Sequence, residues 1–400
     1  MKKILILGFV FCFFSACEKT ESTSQYPDVD TSTLEAAISV FGWDIFKSTF
    51  EDQENALISP LSIHTALSMA LMGADGNTFE KMKEAMGVKN LSREEIRDGH
   101  ATLRGKLLST HDATFLSTQN AVFYDPQRIN IFSPYLNNLE KGFQHELEEL
   151  NFNNPSAVDE INTWASYVTQ DRIQKILESI DAEEIMFLIN ALYFLGDWEL
   201  GFAPEITFNR EFRNYDRTIS QVSMMHSDDN RPFFINDDYS ALDMDFKGNE
   251  YAMTFILPSN GDIQTFINRF KGVEWYAFYT DLISNKINNE RVLTKLPRFE
   301  ISTHYQLKDH LIQLGMTHTF DGSDFTLMGT SPLGRIFLSR VMHDAFIKVD
   351  EKGVEGAAVT TVGVAATSLP PTIQFDKPFL YVIRHKETGV PVFLGAVLKL

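Results

Sequence analysis

Residues 351–371 read Glu-Lys-Gly-Val-Glu-Gly-Ala-Ala-Val-Thr-Thr-Val-Gly-Val-Ala-Ala-Thr-Ser-Leu-Pro-Pro, and the interpretation of the whole chain depends on this stretch. Strand-like runs precede and follow it, so its position is that of a connection. Most connections in compact domains have about 4–6 residues, and longer ones tend to be functional or disordered. Residues 356–368 contain no charge and no proline, and are rich in Val, Thr, Ala and Gly. That composition is typical of a strand, whereas disordered linkers are polar and charged.

The alternation of side chains in this stretch also fits a strand, whose successive residues point to opposite faces. One face would carry only small or uncharged residues: Val354, Gly356, Ala358, Thr360, Val362 and Val364. The other face would carry Glu355. Two interpretations follow from the residues alone: a strand held out of its sheet, or an ordinary edge strand with a long hairpin.

The N-terminus has the features of a secretory signal. Lys2 and Lys3 precede a short apolar run over residues 4–14, and Ser15-Ala16 stand directly before Cys17. This order resembles a bacterial lipobox, so we predict a lipoprotein signal peptide over residues 1–16, lipidation of Cys17 and a flexible tether over residues 17–31. A plain signal peptide with a chance cysteine is the alternative. The predicted location is the bacterial cell envelope, lipid-anchored at the outer membrane on its periplasmic or surface face.

Composition excludes several classes of function. The chain has 400 residues and a net charge of −19, which argues against nucleic acid as a partner because such proteins present a basic face. Its only cysteines are Cys12 and Cys17, so the predicted mature body has no disulfide, thiolate metal site or cysteine nucleophile. No linker-like segment interrupts the chain after residue 32, and we predict one large domain over residues 32–400.

Helix signals concentrate early in the chain and strand signals later. Ser59-Pro60 and Ser133-Pro134 are helix starts, and Ser92 with Glu95 forms a capping-box pattern. Residues 185–195 and 335–349 are predicted strands. Helices first and strands afterwards, without regular alternation, predict an α+β fold with mostly antiparallel sheets.

Motifs of enzyme chemistry are absent from the sequence. There is no zinc-protease motif, no nucleophile elbow and no phosphate-binding glycine loop. The pairs Asp228-Asp229 and Asp237-Asp238 are interpreted as solvated loop residues. Ser59, Ser62 and His343 could meet as a catalytic set, although a structural hydrogen-bond cluster is the preferred interpretation. We therefore predict no enzyme, no cofactor and no metal.

Several ordered motifs resemble those of the serpin family over residues 34–400. They are Ile58-Ser59-Pro60-Leu61-Ser62-Ile63, Asn190-Ala191-Leu192-Tyr193-Phe194 with Gly196 and Trp198-Glu199, His343 followed by Val349-Asp350-Glu351-Lys352-Gly353, and Phe375-Asp376-Lys377-Pro378-Phe379-Leu380. The resemblance implies a monomer with three β-sheets, about nine helices and an exposed reactive-centre loop at about residues 351–371.

The resemblance also implies a suicide-substrate inhibitor of serine proteases, and possibly of cysteine proteases. A protease attacks the loop and forms an acyl-enzyme, and the cut loop then inserts as a new strand of the main sheet. Serpin loop insertion is a known example of strand addition and not a deduction from this sequence. Distortion of the protease after it is carried across the sheet would leave the covalent complex trapped. The partner implied is thus a target protease, with the membrane as a second partner through the lipid on Cys17.

Counting seven residues back from Phe375, as the family does, places the reactive bond at Thr367-Ser368, with Ala366 as the alternative and Val364 also possible. Residues 364–367 are small and uncharged, which predicts an elastase-like or subtilisin-like target. No Lys or Arg lies between Gly353 and Leu369, so a trypsin-like target is not expected.

The family's hinge carries over onto six positions: Glu351, Gly353, Val354, Gly356, Ala357 and Ala358. Val354 departs from the usual Thr or Ser, and Gly356 departs from the usual Ala-rich run. The positions that control sheet opening carry over onto Ser59, Ser62, Asn190, Trp198 and His343. The alternative function is a non-inhibitory serpin-fold binding lipoprotein or a protease substrate.

Overall fold

The computed structural model describes residues 32–50, 54–108, 111–320, 324–354 and 370–400. The predicted signal peptide, Cys17 and the tether lie outside the described residues, and so do residues 355–369 of the loop. Among the described residues, no helix combines the length and the apolar character that crossing a membrane requires.

The described residues form ten α-helices and one short 3-10 helix, Pro204–Ile206. The α-helices are α1 (Ser32–Thr49), α2 (Pro60–Leu71), α3 (Gly76–Ala85), α4 (Arg93–Leu107), α5 (Ser133–Phe143), α6 (Ser156–Val168), α7 (Ile263–Asn268), α8 (Gly272–Asn285), α9 (Lys308–Gln313) and α10 (Thr317–Phe320).

Seventeen strands lie in the same part of the chain. They are β1 (Ala56–Ile58), β2 (Thr114–Tyr124), β3 (Asn130–Ile131), β4 (Glu146–Glu149), β5 (Met186–Asp197), β6 (Phe208–Arg213), β7 (Ile219–Ile235), β8 (Tyr239–Asp245), β9 (Tyr251–Pro258), β10 (Ile287–Pro297), β11 (Phe299–Gln306), β12 (Gly329–Thr330), β13 (Met342–Val349), β14 (Gly353–Val354), β15 (Thr372–Gln374), β16 (Phe379–His385) and β17 (Pro391–Val397).

The strands build three sheets, as the resemblance to the serpin family implied. The six-stranded sheet has the order β11-β13-β14-β5-β2-β4. The nine-stranded sheet has the order β1-β17-β16-β9-β8-β7-β10-β15, with β6 attached to β7, and β3 pairs with β12 in the third. Most pairs are antiparallel. The α+β class is confirmed.

Local sequence signals account for the helix starts that matter to the site. The Ser59 side chain caps α2 and Pro60 is its first residue, and Ser92 and Glu95 form the predicted capping box of α4. Eleven of the twelve residues of α2 are buried, which fits its position under the six-stranded sheet. A buried N-terminus needs such a cap because its first N–H groups have no partner within the helix.

Two predictions from the sequence were wrong, and one helix was not predicted. Residues 335–341 are irregular and the strand begins only at Met342, since this segment is held by side-chain contacts to another part of the chain. Helix α8 was missed because its aromatic residues favour strands, but Trp275 stacks on Trp43 at 3.8 Å and fixes the helix on α1. Asp228-Asp229 is not a solvated loop pair: both residues lie in β7, where Arg291 binds Asp228 at 2.6 Å.

Candidate functional site: the hinge and the open sheet

The loop begins as a two-residue strand inside the six-stranded sheet. In β14, Gly353 lies opposite Asp197 and Val354 lies opposite Gly196 of β5. On its other side Val354 lies opposite Val349 of β13. Val354 is only 2% exposed, so the hinge residue that departs from the family pattern already lies in the core. The strand therefore forms a wedge between β13 and β5.

Gly353 is required by close backbone contact. Its φ is +154°, and a Cβ built there would lie 1.9 Å from the carbonyl oxygen of Gly196. No side chain fits at that distance, so any other residue would push the wedge out of the sheet.

Glu351 holds the start of the loop against the nine-stranded sheet. Its carboxylate accepts hydrogen bonds from Arg298 Nε at 2.7 Å and from the Thr207 hydroxyl at 2.6 Å. Burial by itself raises the pKa of Glu351, but the bonds from Arg298 and Thr207 outweigh it and hold that pKa below its ordinary value. The carboxylate is therefore charged at neutral pH and fixes the position of the hinge.

Trp198 packs beside the wedge. Its indole stacks on Phe246 with ring centroids 4.6 Å apart, and its Nε1–H donates to the Asp350 carbonyl oxygen at 3.1 Å. The Trp198 backbone N–H donates to the Lys352 carbonyl oxygen. The residue thus holds both the end of β5 and the entry to the loop.

Beyond the wedge, β5 and β13 have no hydrogen-bonded pairing with each other over the described residues. A cavity of about 380 Å³ lies where they diverge. Its lining comes from α2, from β5 and the turn before it, and from residues 335–344, and includes Ala66, Leu188, Asn190, Leu338 and Met342. The six-stranded sheet therefore contains a slot that is closed by β14 at one end, and beyond β14 the strands β5 and β13 are not paired with each other.

Ser59, Ser62 and His343 come together at this slot, as a hydrogen-bond cluster. His343 Nε2 accepts the Ser59 backbone N–H at 2.9 Å, and the Ser59 hydroxyl accepts the Ser62 backbone N–H at 3.2 Å. The Ser62 hydroxyl donates to the carbonyl oxygen of Asn190 at 3.4 Å. The imidazole is thus bonded to a main-chain amide and not to a hydroxyl, and this arrangement does not activate a nucleophile.

Only one of the two polar groups of the Asn190 side chain has a hydrogen-bond partner. Its Nδ2 donates to Asn120 Oδ1 at 2.9 Å, whereas its Oδ1 is buried without a partner. Buried polar atoms nearly always have a hydrogen-bond partner. The unpaired oxygen of Asn190 lines the open slot, so it can still accept one hydrogen bond from a group that enters there. Asn120 itself was missed by sequence analysis, as no local signal connects residues 70 positions apart.

A second set of contacts joins β5 and β13 at the ends that lie away from β14. Glu184, just before β5, accepts from the Ser339 hydroxyl at 3.1 Å and forms an ion pair with Arg340, shortly before β13. Glu184 is buried, so this pair is little screened by water. No sequence motif marks the residues that make these contacts, and only the structure identifies them: Arg298, Thr207, Glu184 and Arg340.

Thr367, Ser368, Ala366, Gly356, Ala357 and Ala358 lie outside the described residues. Their assignments stay predictions, as does the lipidation of Cys17. Among the described residues, no group of three or more His, Cys, Asp or Glu side chains could hold a metal ion.

Buried histidines predict a loss of stability in acid. Burial, with a smaller effect of His304, lowers the pKa of His343 to about 3, and burial lowers the pKa of His64 to about 4. Because these values lie below the unfolded value of about 6.5, the stabilisation is complete above pH 6.5 and is lost as the pH falls towards 3. Each imidazole should contribute a loss of about 2 kcal/mol between pH 7.5 and 5.

The measurement is urea unfolding at pH 7.5 and at pH 5. A His343→Asn variant should show a smaller difference between the two pH values than the wild type, by about 2 kcal/mol. His318→Asn, on the exposed surface of α10, is the control for the substitution itself. An unchanged difference in His343→Asn would contradict the assignment of acid sensitivity to the slot.

Together, the wedge, the slot and the orphaned amide oxygen define a class of protein whose sheet has room for one more strand of its own chain. The chain belongs to the serpin family: the family model described as "Serpin (serine protease inhibitor)" matches residues 36–400. The resemblance inferred from the motifs is confirmed at the level of the family.

Relatives match over nearly the whole chain. A serpin-like protein of Thermococcus kodakarensis is 31% identical over 90% of this chain and 84% of its own, and the leukocyte elastase inhibitor of Xenopus laevis is 30% identical over 90% and 98%. Among solved structures, the thermophilic serpin tengpin in its native state has a TM-score of 0.85 at 30% identity, over 94% of this chain and 96% of that one. Thyroxine-binding globulin in complex with thyroxine has a TM-score of 0.81 at 25% identity, over 92% and 99%.

The family match corrects the plain prediction that the chain has no enzyme role. The family is described as inhibitors of serine proteases, so enzyme chemistry concerns this family as the chemistry of the proteases that its members inhibit. The absence of catalytic motifs in its own sequence was therefore an incomplete guide to function.

Proposed function

We propose that this protein is a suicide-substrate inhibitor of serine proteases with elastase-like or subtilisin-like specificity. One observation carries the proposal: β14 already separates β5 from β13, and the slot beyond it is unpaired. After cleavage the loop would continue β14 into that slot, and the covalently bound protease would move with it.

The register of β14 supports this movement. Val354 lies opposite Gly196 and Val349, so a residue n positions after 354 would lie opposite 196−n in β5 and 349−n in β13. Strand β5 begins at Met186, which corresponds to residue 364 because 196−10 is 186 and 354+10 is 364. On the other side β13 begins at Met342, which corresponds to residue 361. Both neighbouring strands could therefore pair with the loop as far as residue 361, six positions before Thr367, and β5 alone as far as residue 364.

The same register puts the small residues of the loop towards the core. Residues opposite each other in neighbouring strands point to the same face. Gly356, Ala358 and Thr360 correspond to the buried Ile347, Ala345 and His343, respectively, where large or charged side chains would not fit. Glu355, the only charged residue among residues 354–368, corresponds to the exposed Lys348 on the other face.

Thr360 would then meet the hydrogen-bond cluster. Six positions after Val354, it corresponds to Asn190 in β5 and His343 in β13. Its hydroxyl could donate to Asn190 Oδ1, the oxygen that has no partner in the open sheet. Insertion would thus satisfy a buried polar atom, and this supports a sheet-control role for Asn190, Ser59, Ser62 and His343.

The experiment is a complex-formation assay on denaturing gels. The mature protein is mixed with an elastase-type serine protease, and a detergent-stable band at the summed mass is expected. Mass spectrometry of the released C-terminal peptide should show Ser368 as its first residue, or Thr367 if the bond follows Ala366. Cleavage without the band would favour a protease substrate, and no cleavage would reject the proposed target class.

The second candidate is a non-inhibitory binding protein. It is favoured by the thyroxine complex of one structural relative and by the departures at Val354 and Gly356. Under this alternative, loop variants that block insertion would leave its activity unchanged.

We also propose attachment to the bacterial cell envelope through lipid on Cys17. The supporting observation is Ser15-Ala16-Cys17 after a short apolar run. Cells grown with labelled palmitate should label the wild-type protein and not Cys17→Ser. Equal labelling of both proteins would contradict the proposal.

A further inference from the structure

Four side chains share one face of the nine-stranded sheet on β6, β7 and β10, and we call this set the cationic strip: Arg210, Phe208, His226 and Lys295. The Arg210 guanidinium lies 5.4 Å from the centroid of the Phe208 ring, and the Phe208 and His226 rings meet edge to face at 5.5 Å. His226 in β7 lies opposite Lys295 in β10.

The positive charge of the strip is not neutralised. Arg210 donates to the carbonyl oxygen of Asn209, and Lys295 donates to Gln374 Oε1. Neither forms an ion pair with a carboxylate of the described chain, although the protein as a whole has a net charge of −19. His226 Nε2 is buried and has no partner. Unpaired cations around a partly exposed aromatic ring are typical of a surface that binds a partner.

The strip lies between the two ends of the reactive-centre loop. Lys295 is bonded to Gln374 in β15, three residues after Pro371. Phe208 directly follows Thr207, whose hydroxyl donates to Glu351 at the start of the loop. Strand β6, which carries Phe208 and Arg210, pairs only with β7 among the described strands, and Arg213 at its end donates its backbone N–H to the Asp376 carbonyl oxygen.

The predicted reactive bond is close enough for an attacking protease to touch this surface. Pro371 lies four positions after Thr367, and at about 3.3 Å per residue these positions span at most about 13 Å. A protease bound at this bond must therefore face the end of the sheet to which the strip belongs.

We propose that the cationic strip is a second contact for the target protease and that it selects proteases with carboxylates beside their active-site cleft. This inference rests on the proposed inhibitory function and adds a determinant of specificity outside the loop. Opposite charges across an interface mainly accelerate association and favour one partner over another. The strip does not take part in loop insertion.

The test compares Arg210→Glu/Lys295→Glu with the wild type and with Lys81→Glu/Lys89→Glu. The control makes the same change of charge at two exposed lysines in and after α3. The probes are two serine proteases that cleave after small residues, one with a net negative surface and one with a net positive surface. Association rate constants and the number of inhibitor molecules used per trapped protease are measured at low and high salt.

We expect the strip variant to bind the negative protease about tenfold more slowly at low salt, with a smaller difference at high salt. Its association with the positive protease should not slow, and the number of inhibitor molecules per trapped protease should not change. The control should remain within about twofold of the wild type.

If the wild type forms covalent complexes and the strip variant associates at unchanged rates, the proposed contact of the strip with the protease is overturned. The inhibitory function is then still supported. Failure of the wild type to form a complex with either protease would overturn both. A change in sedimentation of the strip variant alone would show that the strip binds a second copy of this chain and would overturn the proposed contact.

Discussion

Val354→Arg should convert the protein from an inhibitor into a substrate. The loop should still be cleaved by an elastase-type protease, but the detergent-stable complex should decrease about 100-fold or more. Val354 lies on the core face of β14, where a guanidinium would have no carboxylate partner, and burying an unpaired charge costs several kcal/mol. Gel densitometry of complex against cleaved protein measures the partition.

Glu355→Arg is the matched control for this change. It introduces the same side chain at the next position, which would lie opposite the exposed Lys348 if the register of β14 continued. The control should still form the complex. If Val354→Arg formed as much complex as the wild type, loop insertion along the register of β14 would be excluded.

Thr367→Arg should change the class of protease that is inhibited. An arginine at the residue before the reactive bond fits a trypsin-like primary pocket and is rejected by a pocket for small side chains. We expect inhibition of a trypsin-like protease to appear and inhibition of the elastase-type protease to fall at least about 100-fold. Rate constants for both proteases, with the mass of the released peptide, check this expectation.

The conservative variant Thr367→Val should keep the original target. Loss of elastase-type inhibition in both variants would indicate a folding defect and not a specificity change. Full elastase-type inhibition by Thr367→Arg would place the reactive bond elsewhere, with Ala366 and Val364 as the next candidates.

The two variants test different steps of the same mechanism. Thr367 decides which protease attacks, and Val354, which is already paired in β14, decides whether the strand can extend from there into the sheet after the attack. The cationic strip, in turn, would affect how fast the protease arrives. A change in target, in partition or in association rate can therefore be assigned to one of three separate parts of the molecule.

The sequence predicted the class of fold well because its signals are local. The caps of α2 and α4 require only side chains within three residues of the helix start, and each was found correctly. Prediction failed where distant contacts decide the conformation. The aromatic residues of α8 favour strands, but stacking of Trp275 on Trp43 selects a helix. The Asp228-Asp229 pair is typical of a loop, but Asp228 lies in β7 and binds Arg291 on the neighbouring strand β10.

By itself, the sequence determined that residues 351–371 could become a strand, because alternation and side-chain size are properties of adjacent residues. It also determined the family, through motifs that remain in order along the chain. Only the tertiary structure decided that there is a place for that strand. The slot between β5 and β13, the orphaned Asn190 oxygen and the Glu351–Arg298 pair join residues far apart in sequence, and such contacts exist only after the chain has folded.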